Sequence, residues 1–153
     1  VNRLELGFDS DLGNVSLAAA AVSSACLCFG LDRATANQVE LCTVEGVTNA
    51  IQHAYHGQPG KLVSVIVTSE TDRLRLEIVD SGTPMPAECI KRLLNGSDVF
   101  QICDTERASL AETGRGLQIM HDLMDAVAYT PGGSFNRLQL TKHIPCLGQV
   151  ELE

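Results

Sequence analysis

Residues 45–55 read Glu45-Gly46-Val47-Thr48-Asn49-Ala50-Ile51-Gln52-His53-Ala54-Tyr55, and their spacing organises the rest of the chain. Glu45 and Asn49 are four apart, so on a helix their side chains point the same way, one turn separated. At about 100° per residue, Gln38, Glu45, Asn49, Gln52, His53 and His56 share roughly a third of the circumference. Val39, Val44, Val47, Ala50, Ile51 and Ala54 take most of the rest. The spacing predicts a core helix over 33–55, capped by Asp32 and stopped by Gly57, Pro59 and Gly60. A solvated face explains such a stripe taken alone. A carboxylate beside an amide oxygen also offers hard donors to a Mg²⁺ that keeps waters and shares phosphate oxygens. The same carboxylate can take a proton from an attacking hydroxyl.

Outward from this helix, the period changes. Leu4, Leu6 and Phe8 alternate with Arg3, Glu5 and Gly7, a short strand. A helix over 12–29 follows, ended by Gly30. Residues 62–68 and 74–80 alternate about the turn Thr71-Asp72 and form a hairpin. A short helix fits 87–94. Residues 95–113 are polar and irregular, as lids and loops are. Gly114-Arg115-Gly116 then opens a helix carrying Leu117, Met120, Leu123 and Met124. A last hairpin, 127–129 with 135–140, turns at Pro131-Gly132-Gly133. Helices and strands come in blocks rather than alternating. This favours an α+β two-layer sandwich, with helices on one face of the sheet, over a doubly wound parallel sheet.

The bulk properties narrow the class. One domain over 1–153 is expected from the length. The net charge of −8 argues against nucleic acid as the main partner, since phosphate contacts need clustered Lys and Arg. No apolar run reaches the ~18 residues of a membrane span. No basic-then-apolar leader precedes the first strand, and Val1 rather than Met opens the chain. Of the six cysteines, Cys26, Cys28 and Cys42 sit in apolar helical contexts, and no C-x-x-C pair occurs. Buried free thiols in a reducing cytoplasm are the expectation. A metal site built from His53, His56 and a cysteine is the lesser alternative.

Two glycine-bearing segments add to the helix. Asp80-Ser81-Gly82-Thr83-Pro84 ends a strand. It reads as an ordinary turn, or as a carboxylate placed for an exocyclic amine, with Gly82 letting backbone approach a base. Gly114-Arg115-Gly116 at a helix start would aim backbone N–H groups and one guanidinium at phosphate oxygens. It matches neither the P-loop nor the dinucleotide-binding pattern.

In that order, with these words, the chain resembles the GHKL-type ATP-binding fold of type II topoisomerases, heat-shock chaperone ATPases, sensor histidine kinases and the MutL proteins. Within it the chain is most similar to bacterial anti-sigma factor serine/threonine kinases. Residues 45–55 resemble their E-x-x-x-N-x-x-x-H-A-Y helix. Asp80 to Pro86 resembles their D-x-G-x-P turn, and Glu112-Thr113-Gly114-Arg115-Gly116-Leu117-Gln118-Ile119 their E-x-G-R-G-L-x-I segment. The resemblance implies a mixed, mostly antiparallel sheet with MgATP held by Asn49, His53, Asp80, Gly82, Pro84, Gly114, Arg115, Gly116 and Leu117. It implies Asn49 as the Mg²⁺ ligand and Glu45 as the base that activates a Ser or Thr on a STAS-fold anti-anti-sigma protein. A sigma factor as second partner, and dimerisation, are further implications. Met85 and Ala87 depart from the Phe and acidic residue usual after this turn. On the closing strand, Asn136 and Arg137 stand where related ATPases often carry Thr, so either could support Asp80. A non-catalytic module that binds ATP or sequesters a sigma factor would use the same fold. The phosphoacceptor helical hairpin of a histidine kinase is missing from the sequence.

Overall fold

Branched apolar residues at every second position build the sheet. The computed structural model describes residues 1–95 and 109–145, with backbone alone at 95 and 109–113. Strands β1 (Asn2–Asp9), β2 (Leu62–Ser69), β3 (Arg73–Asp80), β4 (Ala126–Thr130) and β5 (Asn136–His143) form one sheet in the order β1-β2-β3-β5-β4. Every pairing is antiparallel, so the parallel neighbour of a mixed sheet does not occur among the described residues. Val63, Val65 and Val67 of β2, Leu74, Leu76 and Ile78 of β3, and Leu138 and Leu140 of β5 point to one face and are buried. The opposite face carries Glu5, Arg75, Glu77 and Arg137, in keeping with a period of two.

The helices cover the apolar face. They are α1 (Val15–Cys28), α2 (Arg33–Asn49), α3 (Ala87–Asn95) and α4 (Ser109–Leu123). Asp32 caps α2 by accepting from the Thr35 N–H at 2.7 Å. Val22 and Cys26 of α1, Val39, Cys42 and Val47 of α2, and Leu117 and Met120 of α4 fill the core against the strands. A Cβ at Gly46 would overlap the Ile78 side chain, so α2 rides directly on β3 there. Among the described residues no helix is long and apolar enough to cross a membrane.

Three expectations change. The predicted helix over 33–55 is α-helical only to Asn49; Ala50–Ala54 form a π turn, with the Tyr55 N–H reaching the Ala50 carbonyl at 3.1 Å. Cys26 and Cys42 are buried, and burial pushes their thiols up to about 11 and about 12. Cys28 is exposed instead, because it lies on the outer side of α1. Cys103 and Cys146, and most of the expected irregular segment, lie outside the described residues. Finally, Gly114-Arg115-Gly116 does not start a helix: α4 begins at Ser109.

Candidate functional site

The π turn and the end of β3 meet to form a cavity. The wider turn shifts the phase of the residues after Asn49, and such turns recur at functional sites. It presents the Ala54 carbonyl to the Asp80–Pro84 turn, where the Thr83 N–H donates to it at 2.9 Å. Gly82 sits so close that a Cβ would collide with the Ala54 carbonyl. The Tyr55 hydroxyl accepts from the Ser81 N–H at 2.7 Å and donates to the Leu62 carbonyl at 2.6 Å. His56, in the left-handed region at φ 53°, reaches Thr83 through a 3.1 Å ring-nitrogen to hydroxyl bond.

Between these elements lies a cavity of about 310 Å³. Gly46, Asn49, Ala50 and His53 form one wall; Asp80, Thr83, Pro84 and Met85 form the other. Ile78, Leu138, Tyr129 and the buried Cys89 form its apolar lining. Its size suits a small molecule, and its few convergent polar groups are what orient one.

Asp80 is 8% exposed, and its register partner on β5 is Asn136, 4% exposed. Both point to the helix side of the sheet. Asn136 Nδ2 donates to Asp80 Oδ1 at 2.8 Å and to the Gly82 carbonyl at 2.9 Å. The Gly82 N–H donates to the same Oδ1 at 2.9 Å. Burial pushes the Asp80 carboxyl above its usual range, against the bonds from Asn136 and Gly82. Arg137 points the other way and pairs with Glu77 at 2.5 Å. The support for Asp80 is therefore Asn136.

Beyond Asn49, α2 faces α4. A Cβ on Gly116 would lie 2.6 Å from Glu45 Oε2 and 3.5 Å from Asn49 Nδ2. Burial pushes the half-buried Glu45 carboxyl upward, with the Arg115 charge opposing. Asn49 Nδ2 is buried without a hydrogen-bond partner.

Comparison with known proteins fits this architecture. The histidine kinase-like ATPase domain family matches residues 8–142. The chain belongs to the histidine kinase-like ATPase domain family. It is 32% identical to the anti-sigma F factor of Bacillus cytotoxicus over 146 residues, covering 94% of this chain and 93% of that one. Identity to the anti-sigma F factor of Geobacillus stearothermophilus is also 32%, over 82% of this chain and 81% of the relative. The resemblance to anti-sigma factors read from the motifs is thus a family membership. The fold matches a chain of the SiaB–SiaC complex from Pseudomonas aeruginosa at TM-score 0.58 and 14% identity, covering 91% of this chain and 88% of that one. It also matches the blue-light activated histidine kinase of Erythrobacter litoralis at TM-score 0.53 and 20% identity, covering 90% and 43%.

Within this ATPase-family domain the motif residues divide. Asn49, His53, Asp80 and Pro84 line the cavity. Gly82 lies behind the turn, on a shallow cleft shared with Tyr55 and Lys61. Glu45 stands one turn before Asn49, against Gly116. Leu117 is fully buried in the core, away from the cavity wall. Gly114 and Gly116 are buried and Arg115 exposed. All three sit past the first four residues of α4, whose N–H groups are the ones a helix leaves unpaired. The expected phosphate cradle at a helix start is therefore not what these glycines form here. Gly116 lets α4 pack against Glu45 and Asn49.

The sequence reading missed Tyr129, Cys89 and the tether from Tyr55. Tyr129 accepts from the Met85 N–H at 2.9 Å and so fixes the turn from β4. Nothing in a five-residue strand's pattern marks that hydroxyl. Among the described residues no three His, Cys, Asp or Glu side chains gather as a metal site. A Mg²⁺ that keeps most of its waters asks less of the protein. The unspent amide of Asn49, which a half-turn about its last bond can present as oxygen, fits such an ion, with Glu45 one turn away.

Proposed function

We propose that this protein is an ATP-dependent serine/threonine kinase and anti-sigma regulator whose substrate is a STAS-fold anti-anti-sigma protein. The observation that carries the reading is a half-buried carboxylate, Glu45, set beside the unpartnered Asn49 amide at the edge of a cavity whose far wall is Asp80. Adenine sits in the cavity, with its exocyclic amine on Asp80 and its faces on Ile78, Leu138 and Met85. The phosphates extend along Asn49 toward Gly116 and Arg115. Mg²⁺, held by Asn49, offsets phosphate charge when bound.

In transfer, the substrate hydroxyl attacks the γ-phosphorus as the bond to the ADP oxygen breaks. Glu45 takes the hydroxyl proton, and its raised pKa suits that step. Arg115 supplies positive charge near the transferring group. The remainder of the catalysis is positioning. The names of the anti-sigma F relatives support the regulatory half of the reading. A sigma factor as second partner, the cytoplasm as compartment and a dimer as assembly complete the proposal.

The test is incubation with γ-labelled ATP and a STAS-fold protein bearing a surface serine. Label should move to the serine, and Glu45→Gln should slow transfer by about 10²–10⁴-fold while leaving nucleotide affinity in place. A tight complex with no label on the partner would instead make the protein a sequestering module.

A further inference from the structure

We infer that Asn136 is a specificity-determining positioning residue: it occupies one oxygen of Asp80 so that the site reads a single amine and rejects guanine. The inference rests on the adenine-nucleotide reading above. Asp80 Oδ1 already accepts two hydrogen bonds, from Gly82 N–H at 2.9 Å and Asn136 Nδ2 at 2.8 Å. The second hydrogen of Asn136 Nδ2 goes to the Gly82 carbonyl at 2.9 Å. Both donors of that amide are thus spent inside the protein. Among the described residues Oδ2 has no hydrogen-bond partner, and Asp80 lines the cavity.

At Asp80 the base therefore meets one open acceptor, Oδ2, and no donor from Asn136. Adenine satisfies it with its 6-amino group. Guanine has two ways to meet a carboxylate, and both fail. Its O6, in the position of the adenine amine, faces an oxygen and repels it. Its N1–H and 2-amino group form a parallel pair of donors that needs both carboxylate oxygens, and Oδ1 is taken. Rotating Asp80 to free Oδ1 would strand the Gly82 N–H and a buried amide hydrogen of Asn136. Leaving buried donors unpaired is what makes such rejection strong. The β3–β5 register, Asp80 opposite Asn136, fixes this arrangement in the backbone.

The experiment measures affinities of ATP, GTP and inosine triphosphate for the wild type, Asn136→Ala and Asn136→Thr, with thermal melting as the folding control. Wild type should prefer ATP. Asn136→Ala should lower the ATP:GTP ratio by about tenfold or more, the worth of one hydrogen bond of ~1.4 kcal/mol. The gain should be larger for GTP than for inosine triphosphate, which lacks the 2-amino group. Asn136→Thr keeps one donor and should hold the ratio nearer wild type, so a poorly folded Ala variant does not decide the matter. An unchanged ratio in both variants, or equal gains for both 6-oxo nucleotides, overturns the inference while ATP binding stands. A wild type that binds no nucleotide overturns the adenine-nucleotide reading and this inference together.

Discussion

Gly116→Ala should leave the fold standing and disable phosphoryl transfer. The new Cβ would lie 2.6 Å from Glu45 Oε2, about 0.8 Å inside ordinary van der Waals contact. Its other neighbours, Asn49 Nδ2 and Glu45 Cβ, are at 3.5 Å and tolerate it. The clash is thus with the tip of one half-buried side chain, which can swing toward solvent. Alanine in a helix interior gains about 0.5–1 kcal/mol over glycine. That gain offsets the cost of moving Glu45, and net stability should change by less than about 1 kcal/mol. A base displaced by nearly 1 Å costs on the order of 10²-fold in rate. Denaturant midpoints, nucleotide affinity by calorimetry and single-turnover transfer to the partner serine separate these effects. Wild-type transfer by a well-folded Gly116→Ala protein would show that Glu45 does not act from its present position. Loss of transfer together with several kcal/mol of stability would make Gly116 a packing residue only.

Gly82→Ala should behave in the opposite way. Its Cβ would meet the Ala54 backbone, which cannot rotate aside, so the turn must lift and break Thr83 N–H to Ala54 O and Asn136 Nδ2 to Gly82 O. Overpacking plus two lost bonds amounts to about 3–4 kcal/mol; an unchanged melting temperature would contradict the close approach. Tyr55→Phe strands the Ser81 N–H and the Leu62 carbonyl, and should cost about 2 kcal/mol and speed hydrogen exchange at Ser81. Protection equal to wild type there would remove the tether. For Glu45, burial raises the folded carboxyl above its ordinary 4.5, so the folded state holds that proton more tightly than the unfolded chain. Its stabilising contribution is complete below pH 4.5 and is lost as pH rises through the folded value. Glu45→Gln should flatten that slope and be the more stable protein near neutrality. Midpoints against pH that coincide for the two proteins would refute the burial argument.

The sheet was legible because alternation reports burial directly: Leu74, Leu76 and Ile78 could face one way only. The second helix was legible for the same reason, with its polar stripe, but its π turn was not. That turn exists to bring the Ala54 carbonyl against Gly82, a contact between residues 28 apart that local propensity does not encode. The start of α4 was misplaced for a related reason. Gly114 and Gly116 read locally as the opening of a helix. In the structure Gly116 packs against Glu45 and Asn49 inside the helix, and Ser109–Gly116 joins the helix ahead of Leu117. Asn136 was recognised as one of two neighbours that could support Asp80. Choosing between them needed strand parity, because Asn136 faces in with Leu138 while Arg137 faces out to Glu77.

On the proposed mechanism, the two carboxylates flanking the site have different tasks, one reading a nucleotide and the other activating a hydroxyl. Burial pushes both upward, yet the counterweights differ. Asp80 is offset by hydrogen bonds from Asn136 and Gly82, donors that favour the ionised form and fix its direction. A group that reads a base amine must stay charged and still, and these bonds serve both needs. Among the described residues Glu45 is offset only by the Arg115 charge, which holds no geometry. A general base must gain a proton during the reaction, and fixed donors on its oxygens would oppose that gain. The environments therefore separate the roles assigned in the proposed mechanism: Asp80 is built as a reader, and Glu45 is left able to change its charge. The same contrast explains why the asparagine beside Glu45 is left with an unspent amide while the asparagine beside Asp80 has both donors committed. In the proposed mechanism Asn49 faces a ligand that arrives and leaves, while Asn136 faces a residue that must not move.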